Sequence, residues 1–172
     1  MEKFWEKGFE KTGLSELEAC TGLGRQSLYN AFGDKRELFE KSLERYRKLY
    51  LDPVIVQLGS EGSPIANIEA VLDMWAGGQS KRGCFLSNSL AELGAREPDL
   101  EPFMAKILGS IERAFRRALE KARDAGELPE GRDVKGLARL LTTLGQGLSV
   151  VAKVQGPAYK RDAISAVRAL LH

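Results

Sequence analysis

The chain has 172 residues, 43% apolar and 29% charged, a balance that suits one or two globular domains with a buried core and argues against disorder. With 26 Lys/Arg against 24 Asp/Glu the net charge is only +2, so any nucleic-acid face must come from arrangement and not from bulk charge. The longest uncharged run, Leu140–Ala152, is too short for a membrane helix, and MEKFWEKGFEK mixes acids with bases and has no apolar stretch of a signal peptide.

The periodicity predicts an all-α chain, because no stretch alternates like a strand. Glu2–Lys7 reads as the end of a helix, with Phe4 and Trp5 on its buried side and Gly8 as an αL-type cap. Ser15–Ala19 is the second helix, with Ser15 as N-cap, Glu18 in the capping-box position, and Leu14 and Leu17 facing inward. Thr21-Gly22-Leu23 makes a turn and Arg25–Phe32 a third helix. Asp34 caps a fourth, with Glu37 completing a capping box. That helix runs to about Tyr50 on a stripe of Leu38, Phe39, Leu43, Tyr46, Leu49 and Tyr50.

Pro53, Gly59, Gly62 and Ser63 put a domain boundary in Asp52–Ser63, dividing the chain into residues 1–50 and 51–172. Pro64–Gly77 follows as a helix broken by Gly77-Gly78, then Cys84–Leu93, then Pro98–Ala125 with Phe103, Ile107, Ile111, Phe115 and Leu119 as its stripe. Asp133 caps Val134–Val154, and a last helix covers about Ala158–Leu171.

Two short helices joined by a glycine-containing turn suggest a helix-turn-helix, whose second helix enters the major groove. In Arg25–Phe32, Leu28 and Phe32 face the core, which leaves Arg25, Gln26, Ser27, Tyr29 and Asn30 outside. Arg suits guanine, Gln and Asn suit adenine, and Ser suits bases or phosphate. No acid lies between Glu18 and Asp34. Lys35, at a helix start, and Thr12 suit phosphates. On spacing alone the same residues equally suit an ordinary solvated helix face.

FWEKGFEKTGLSELEACTGLGRQSLYNAFGDKRELF resembles the DNA-binding domain of the TetR/AcrR family of transcriptional regulators. The resemblance rests on F-W-x-K-G-F, T-G-L-x-x-L, the turn T-G-L, S-L-Y-x-x-F and D-K-x-x-L-F, and covers about residues 1–50. It implies an N-terminal three-helix DNA-binding domain and a C-terminal helical domain for ligand binding and dimerisation. Family recognition positions fall on Gly24, Arg25, Gln26, Ser27 and Tyr29, with Asn30 and Ala31 near the groove, and phosphate contacts on Thr12, Tyr29 and Lys35. Ala31 departs from the family's usual His or Tyr, and family members usually carry a basic arm before the position of Met1.

RGCFLSNSLAELGAREPDL resembles a segment of one family subset. The resemblance implies a homodimer through the last two helices, with Leu137, Leu140, Leu141, Leu144, Leu148 and Val151, then Ile164 and Val167, at the interface. One buried core helix would explain the first six as well. An inducer pocket is assigned to Met74, Trp75, Phe85, Phe103, Met104 and Ile107, residue types that equally make plain core. Cys84 follows Lys81-Arg82-Gly83 at a helix start, a setting that favours a thiolate, whereas Cys20 reads as filler.

Two unspaced cysteines fit a reducing, cytoplasmic setting, and the lone histidine, His172, leaves no basis for a His triad or metal site. Glu92, Glu97 and Asp99 are read as solvated helix-end acids, not as an enzyme site. The expected function is therefore a homodimeric repressor that binds a palindromic double-stranded operator, takes no cofactor and is released by a small-molecule inducer. The alternatives are a thiol sensor using Cys84 and a relative that has lost DNA binding.

Overall fold

Glycine and proline punctuate the fold. The computed structural model describes residues 1–77, 82–94 and 96–172, and no strand occurs among them. The helices are α1 Glu2–Lys7, α2 Leu14–Thr21, α3 Arg25–Phe32, α4 Lys35–Tyr46, α5 Asp52–Leu58, α6 Pro64–Gly77, α7 Phe85–Leu93, α8 Glu101–Asp124, α9 Val134–Val151 and α10 Pro157–Arg168. Gly78 and Lys81, used above as a helix break and a source of charge, lie outside the described residues.

Local hydrogen bonding moves several expected ends. α2 starts at Leu14 because Gly13 is its N-cap, and the Gly13 N–H donates to Glu16 Oε2 at 3.1 Å. The capping acid is thus Glu16, not Glu18, and Ser15 lies inside the helix. Gly8 has φ 84 and ψ 175, a glycine-only region and not the αL cap expected. α8 begins at Glu101 and not at Pro98, because Arg96 and Glu97 both donate to Leu93 O and hold the intervening chain in turns. α9 ends at Val151 and α10 at Arg168, each short of the expected end.

One difference changes the register of a whole rod. α4 does not stop at Tyr50; it passes through a π-helical turn, Arg47–Leu51, directly into α5. The wide turn lies just before Pro53, which has no N–H to continue an ordinary ladder, and the Asp52 N–H reaches back five residues to Arg47 O. The extra residue shifts the buried stripe by one position. Leu51, Val54 and Leu58 are buried, while Leu49 and Tyr50 are turned outward. The boundary at residues 50/51 therefore falls inside a continuous rod.

α8 is the central strut, packed on α5, α6 and α9, with α10 against α6 and α7 against α9 and α8. Its buried face is Met104, Ile107, Ile111, Phe115 and Leu119. The N-terminal head shares this core. Phe4 and Phe9 contact Phe39 at 5.4 and 5.1 Å, and Phe39 contacts Phe85 of α7 at 5.6 Å. Such aromatic pairs contribute about 0.5–1.5 kcal/mol beyond area burial. No helix among the described residues is long and apolar enough to cross a membrane.

Candidate nucleic-acid interface and the cavity behind it

α2 and α3 meet across a three-residue turn. Gly22 takes φ 69 and donates its N–H to Glu18 O at 2.9 Å, ending α2. The Thr21 hydroxyl donates to Leu17 O at 2.8 Å and accepts from the Leu23 N–H at 3.3 Å, which fixes the reversal. Gly24 is the N-cap of α3, and Leu28, fully buried, pins the helix to the head. Truncating so buried a leucine costs about 2–5 kcal/mol.

With Leu28 inward, Arg25, Gln26, Ser27 and Asn30 are exposed and Tyr29 is half-buried. The side chains are partly ordered by one another. Gln26 Nε2 donates to Asn30 Oδ1 at 3.0 Å, an i,i+4 pair, and the Arg25 guanidinium lies 5.7 Å from the Tyr29 ring centroid. Gln26 and Asn30 thus present a joined pair of amides. Lys35 is held against the α1–α2 turn, its ammonium 4.7 Å from the Phe9 ring and 3.4 Å from Glu10 O. Asp34 caps α4, accepting from the Glu37 N–H at 2.8 Å, while the Asp34 N–H donates to Glu37 Oε2 at 2.9 Å.

Thr12 departs from its expected place. It is fully buried, and its hydroxyl donates to Gly8 O at 2.6 Å. A buried, satisfied hydroxyl serves the α1–α2 turn and offers nothing to a phosphate in this conformation.

The acids set aside as solvated caps clasp the head to the rest of the chain. Glu92, near the end of α7, accepts from the backbone N–H groups of Phe9 at 3.0 Å and Glu10 at 2.9 Å. Arg36 of α4 donates to Glu97 and Asp99, both at 2.7 Å. At the other end of α7, the Trp5 indole N–H donates to Gly83 O at 3.2 Å, and Arg82 pairs with Glu2 at 2.5 Å. These contacts join residues 61–83 positions apart, a separation at which no local pattern survives in sequence.

Behind the clasp lies a cavity of about 290 Å³. Tyr46, Tyr50, Met74 and Trp75 supply aromatic and soft walls, Cys84 sits at the N-cap of α7, and Gln146, Ser149 and Lys160 bring polar groups. Of the expected pocket residues, only Met74 and Trp75 line it. Phe85 at the start of α7 is buried core; on α8, Met104 and Ile107 are buried core and Phe103 packs partly buried against it, because that face of α8 meets the bundle centre. Tyr46, Tyr50, Gln146 and Lys160 escaped the sequence reading. The first two sit at the π turn, Gln146 is a polar residue on the apolar α9, and Lys160 is one of several charged residues on α10.

Burial, and then the neighbouring Cys84 thiol, push the Tyr46 phenol well above its ordinary range, so it stays neutral. Cys84 is half-buried on the cavity wall, and Cys20 is exposed. Arg82 is engaged by Glu2 and lies 5.7 Å from the Trp5 ring.

The expected dimer stripe is also turned. Leu137, Leu141 and Leu148 of α9 are buried on the face that meets α8, and Ile164 and Val167 of α10 on the face that meets α6, so these five belong to the chain's own core. Leu144 and Val151 are half-buried. The face left outside carries Leu140, Thr143, Gly147, Val150 and Val154, spaced alternately three and four residues apart, with Tyr159 exposed on α10.

Two family profiles match this chain. "Bacterial regulatory proteins, tetR family" covers residues 1–41, and "Tetracyclin repressor-like, C-terminal domain" covers residues 64–167. The chain is similar to the uncharacterized HTH-type transcriptional regulator YezE of Bacillus subtilis (strain 168), at 33% identity over 90% of this chain and 82% of that protein. It is similar to the HTH-type transcriptional repressor ComR of Escherichia coli (strain K12), at 28% identity over 89% of this chain and 75% of that protein. Among solved structures, reduced E. coli NemR superposes with a TM-score of 0.88 at 24% identity, covering 99% of this chain and 92% of that chain. A cysteine-substituted CifR bound to double-stranded operator DNA superposes at 0.86 and 23% identity, covering 96% and 90%. With a helix-turn-helix head, an all-helical body and profiles that match both parts, the chain belongs to the TetR family of DNA-binding transcriptional regulators.

Proposed function

We propose that the chain is a homodimeric repressor that binds a palindromic operator in the cytoplasm and is released when a small molecule occupies the cavity. The observation that carries this reading is the path of α7. The helix is N-capped by Cys84 on the cavity wall, and in its last turn Glu92 binds the backbone of the reading head. A ligand that prefers one placement of α7 shifts the head by its differential affinity for the two states.

In this reading Arg25, Gln26 and Asn30 meet base edges, while Gly24, Ser27, Tyr29 and Lys35 approach the backbone. The exposed seam Leu140, Thr143, Gly147, Val150 and Val154 receives the same seam of a second copy, since one α3 reads only a few base pairs and a two-fold pair reads a palindrome. ComR is named a repressor and CifR is seen on operator DNA; both names support this role for a relative of this length. Sedimentation of the protein with a duplex selected for tight binding tests the reading. Two chains per duplex support it, and a single chain per duplex with full affinity contradicts it.

A second reading uses the same wall. Cys84, half-buried beside Tyr46, is placed to react with an electrophile that enters the cavity, so that the adduct acts as the ligand. In a Cys20→Ser background, N-ethylmaleimide then lowers duplex affinity, and Cys84→Ser abolishes the effect. Inhibition that persists in the double variant removes this reading.

A further inference from the structure

α3 carries two side-chain pairs next to each other. The Arg25 guanidinium lies 5.7 Å from the Tyr29 ring centroid, and one position on, Gln26 Nε2 donates to Asn30 Oδ1 at 3.0 Å. The amide pair bears on specificity, because each amide holds a carbonyl acceptor and an NH2 donor on one rotatable end. The terminal torsion of a lone glutamine is soft and roughly two-fold, so its carbonyl and NH2 exchange places at little cost. Such a side chain pairs with adenine in one orientation and donates to guanine in another. Tying the Gln26 amide to Asn30 removes that freedom.

Both residues are exposed, and neither amide has another partner among the described residues. The joined pair therefore keeps one unengaged carbonyl, on Gln26, together with free amide N–H groups. The reversed bond, from Asn30 to Gln26, would leave the same kinds of groups. In the major groove adenine offers N6–H to a carbonyl and N7 to an N–H, whereas guanine offers only the acceptors N7 and O6. Guanine would leave the carbonyl without a donor in a groove from which water has been displaced. The same loss of water strengthens the bond between the two amides.

We propose that Gln26 and Asn30 read one A·T base pair in each half-site as a single unit. The proposal rests on the operator-binding reading and names the base pair that this part of α3 recognises. Arg25, engaged with Tyr29, stands outside the unit.

The test uses the full chain and the duplex that the wild-type protein selects from a random library. Competition binding gives relative affinities for that duplex and for each base-pair change made in both half-sites. The proteins are the wild type, Gln26→Ala, Asn30→Ala and the double variant. Both positions are exposed and alanine is a good helix former, so the variants fold, which thermal melting by circular dichroism checks. The wild type prefers A·T over G·C at one base pair of the half-site by about tenfold or more. Each single variant removes most of that preference at the same base pair and leaves the other positions as they were. The double variant loses no more than either single one, the mark of two residues acting together.

The unit is overturned by losses at two different base pairs, by losses that add in the double variant, by a loss in only one of the single variants, by a base pair other than A·T at the affected position, or by unchanged preferences throughout. Each of these outcomes leaves the wild-type palindrome in place and counts against the pair alone. A wild-type protein that enriches no sequence removes the operator reading and the unit with it.

Discussion

Glu92 holds Phe9 by the backbone: its carboxylate accepts from the Phe9 N–H at 3.0 Å and from the next N–H, that of Glu10, at 2.9 Å. The approach is possible because Gly8 has no side chain; a Cβ there would stand 2.4 Å from the carboxylate. Two backbone donors at the turn between α1 and α2 are thus satisfied by a residue of α7. The head is tied to the helix that borders the cavity, so the two parts of the chain cannot move independently without breaking charge-assisted bonds.

Glu92→Ala leaves both N–H groups without their carboxylate. The expected loss is about 1–3 kcal/mol of unfolding free energy, with faster hydrogen exchange at Phe9 and Glu10 than at Leu141 of the core. Uniform acceleration across the chain would mean global destabilisation and not a clasp.

Arg25→Ala is expected to cost about 1–3 kcal/mol of specific DNA affinity and to relax base preference at one position. Lys35→Ala is expected to weaken all duplexes alike and to flatten the salt slope by about one charge. Binding titrations at several salt concentrations separate the two effects. Equal changes in both quantities from both variants would undo this division of roles.

The orientation of α9 separates two surfaces one residue apart. Leu140 is 40% exposed, whereas Leu141 is fully buried. Leu140→Asp is expected to yield a folded monomer by light scattering, and Leu141→Asp to unfold the chain, since an uncompensated charge would enter the core. A Leu140→Asp protein that remains dimeric would move the interface elsewhere.

Much of the head was legible because its signals are local. The bounds of α3 follow from Gly24 and Gly33, and those of α4 begin at an Asp34/Glu37 capping box. The stripe of α4 failed at Leu49 and Tyr50 because a π turn adds one residue, and helical periodicity assumes none. The α9 stripe failed differently. A helix packed on two sides is apolar on both, so the spacing could not say that Leu141 meets α8 while Leu140 meets solvent. The clasp residues Glu92, Glu97 and Asp99 were present as acids, but their partners lie 61–83 residues away, and only folding brings them together.

The π turn carries its own pH signature. Arg47 donates to both Glu44 oxygens, at 2.8 and 2.7 Å, and to Asp52 at 2.5 Å. These hydrogen bonds hold Glu44 below the usual carboxylate range. A depressed folded-state value stabilises above the unfolded value, about 4.3, and that share is lost as pH falls through the folded value. Arg47→Met is therefore expected to cost at most about 1 kcal/mol at pH 7, both carboxylates being partly exposed, with the gap closing as pH falls below about 4. Denaturant melts of both proteins at pH 7 and about pH 3 measure it, and a gap that widens in acid would contradict the assignment.

The central claim, that α3 reads sequence on behalf of a two-fold dimer, is tested most directly by selecting bound duplexes from a random library at moderate salt. The account predicts an enriched palindrome, with its preference weakened at one position of each half-site by Arg25→Ala. Recovery of unenriched sequences, bound weakly and lost as salt rises, would contradict it and point to a fold that has kept its body and lost its operator.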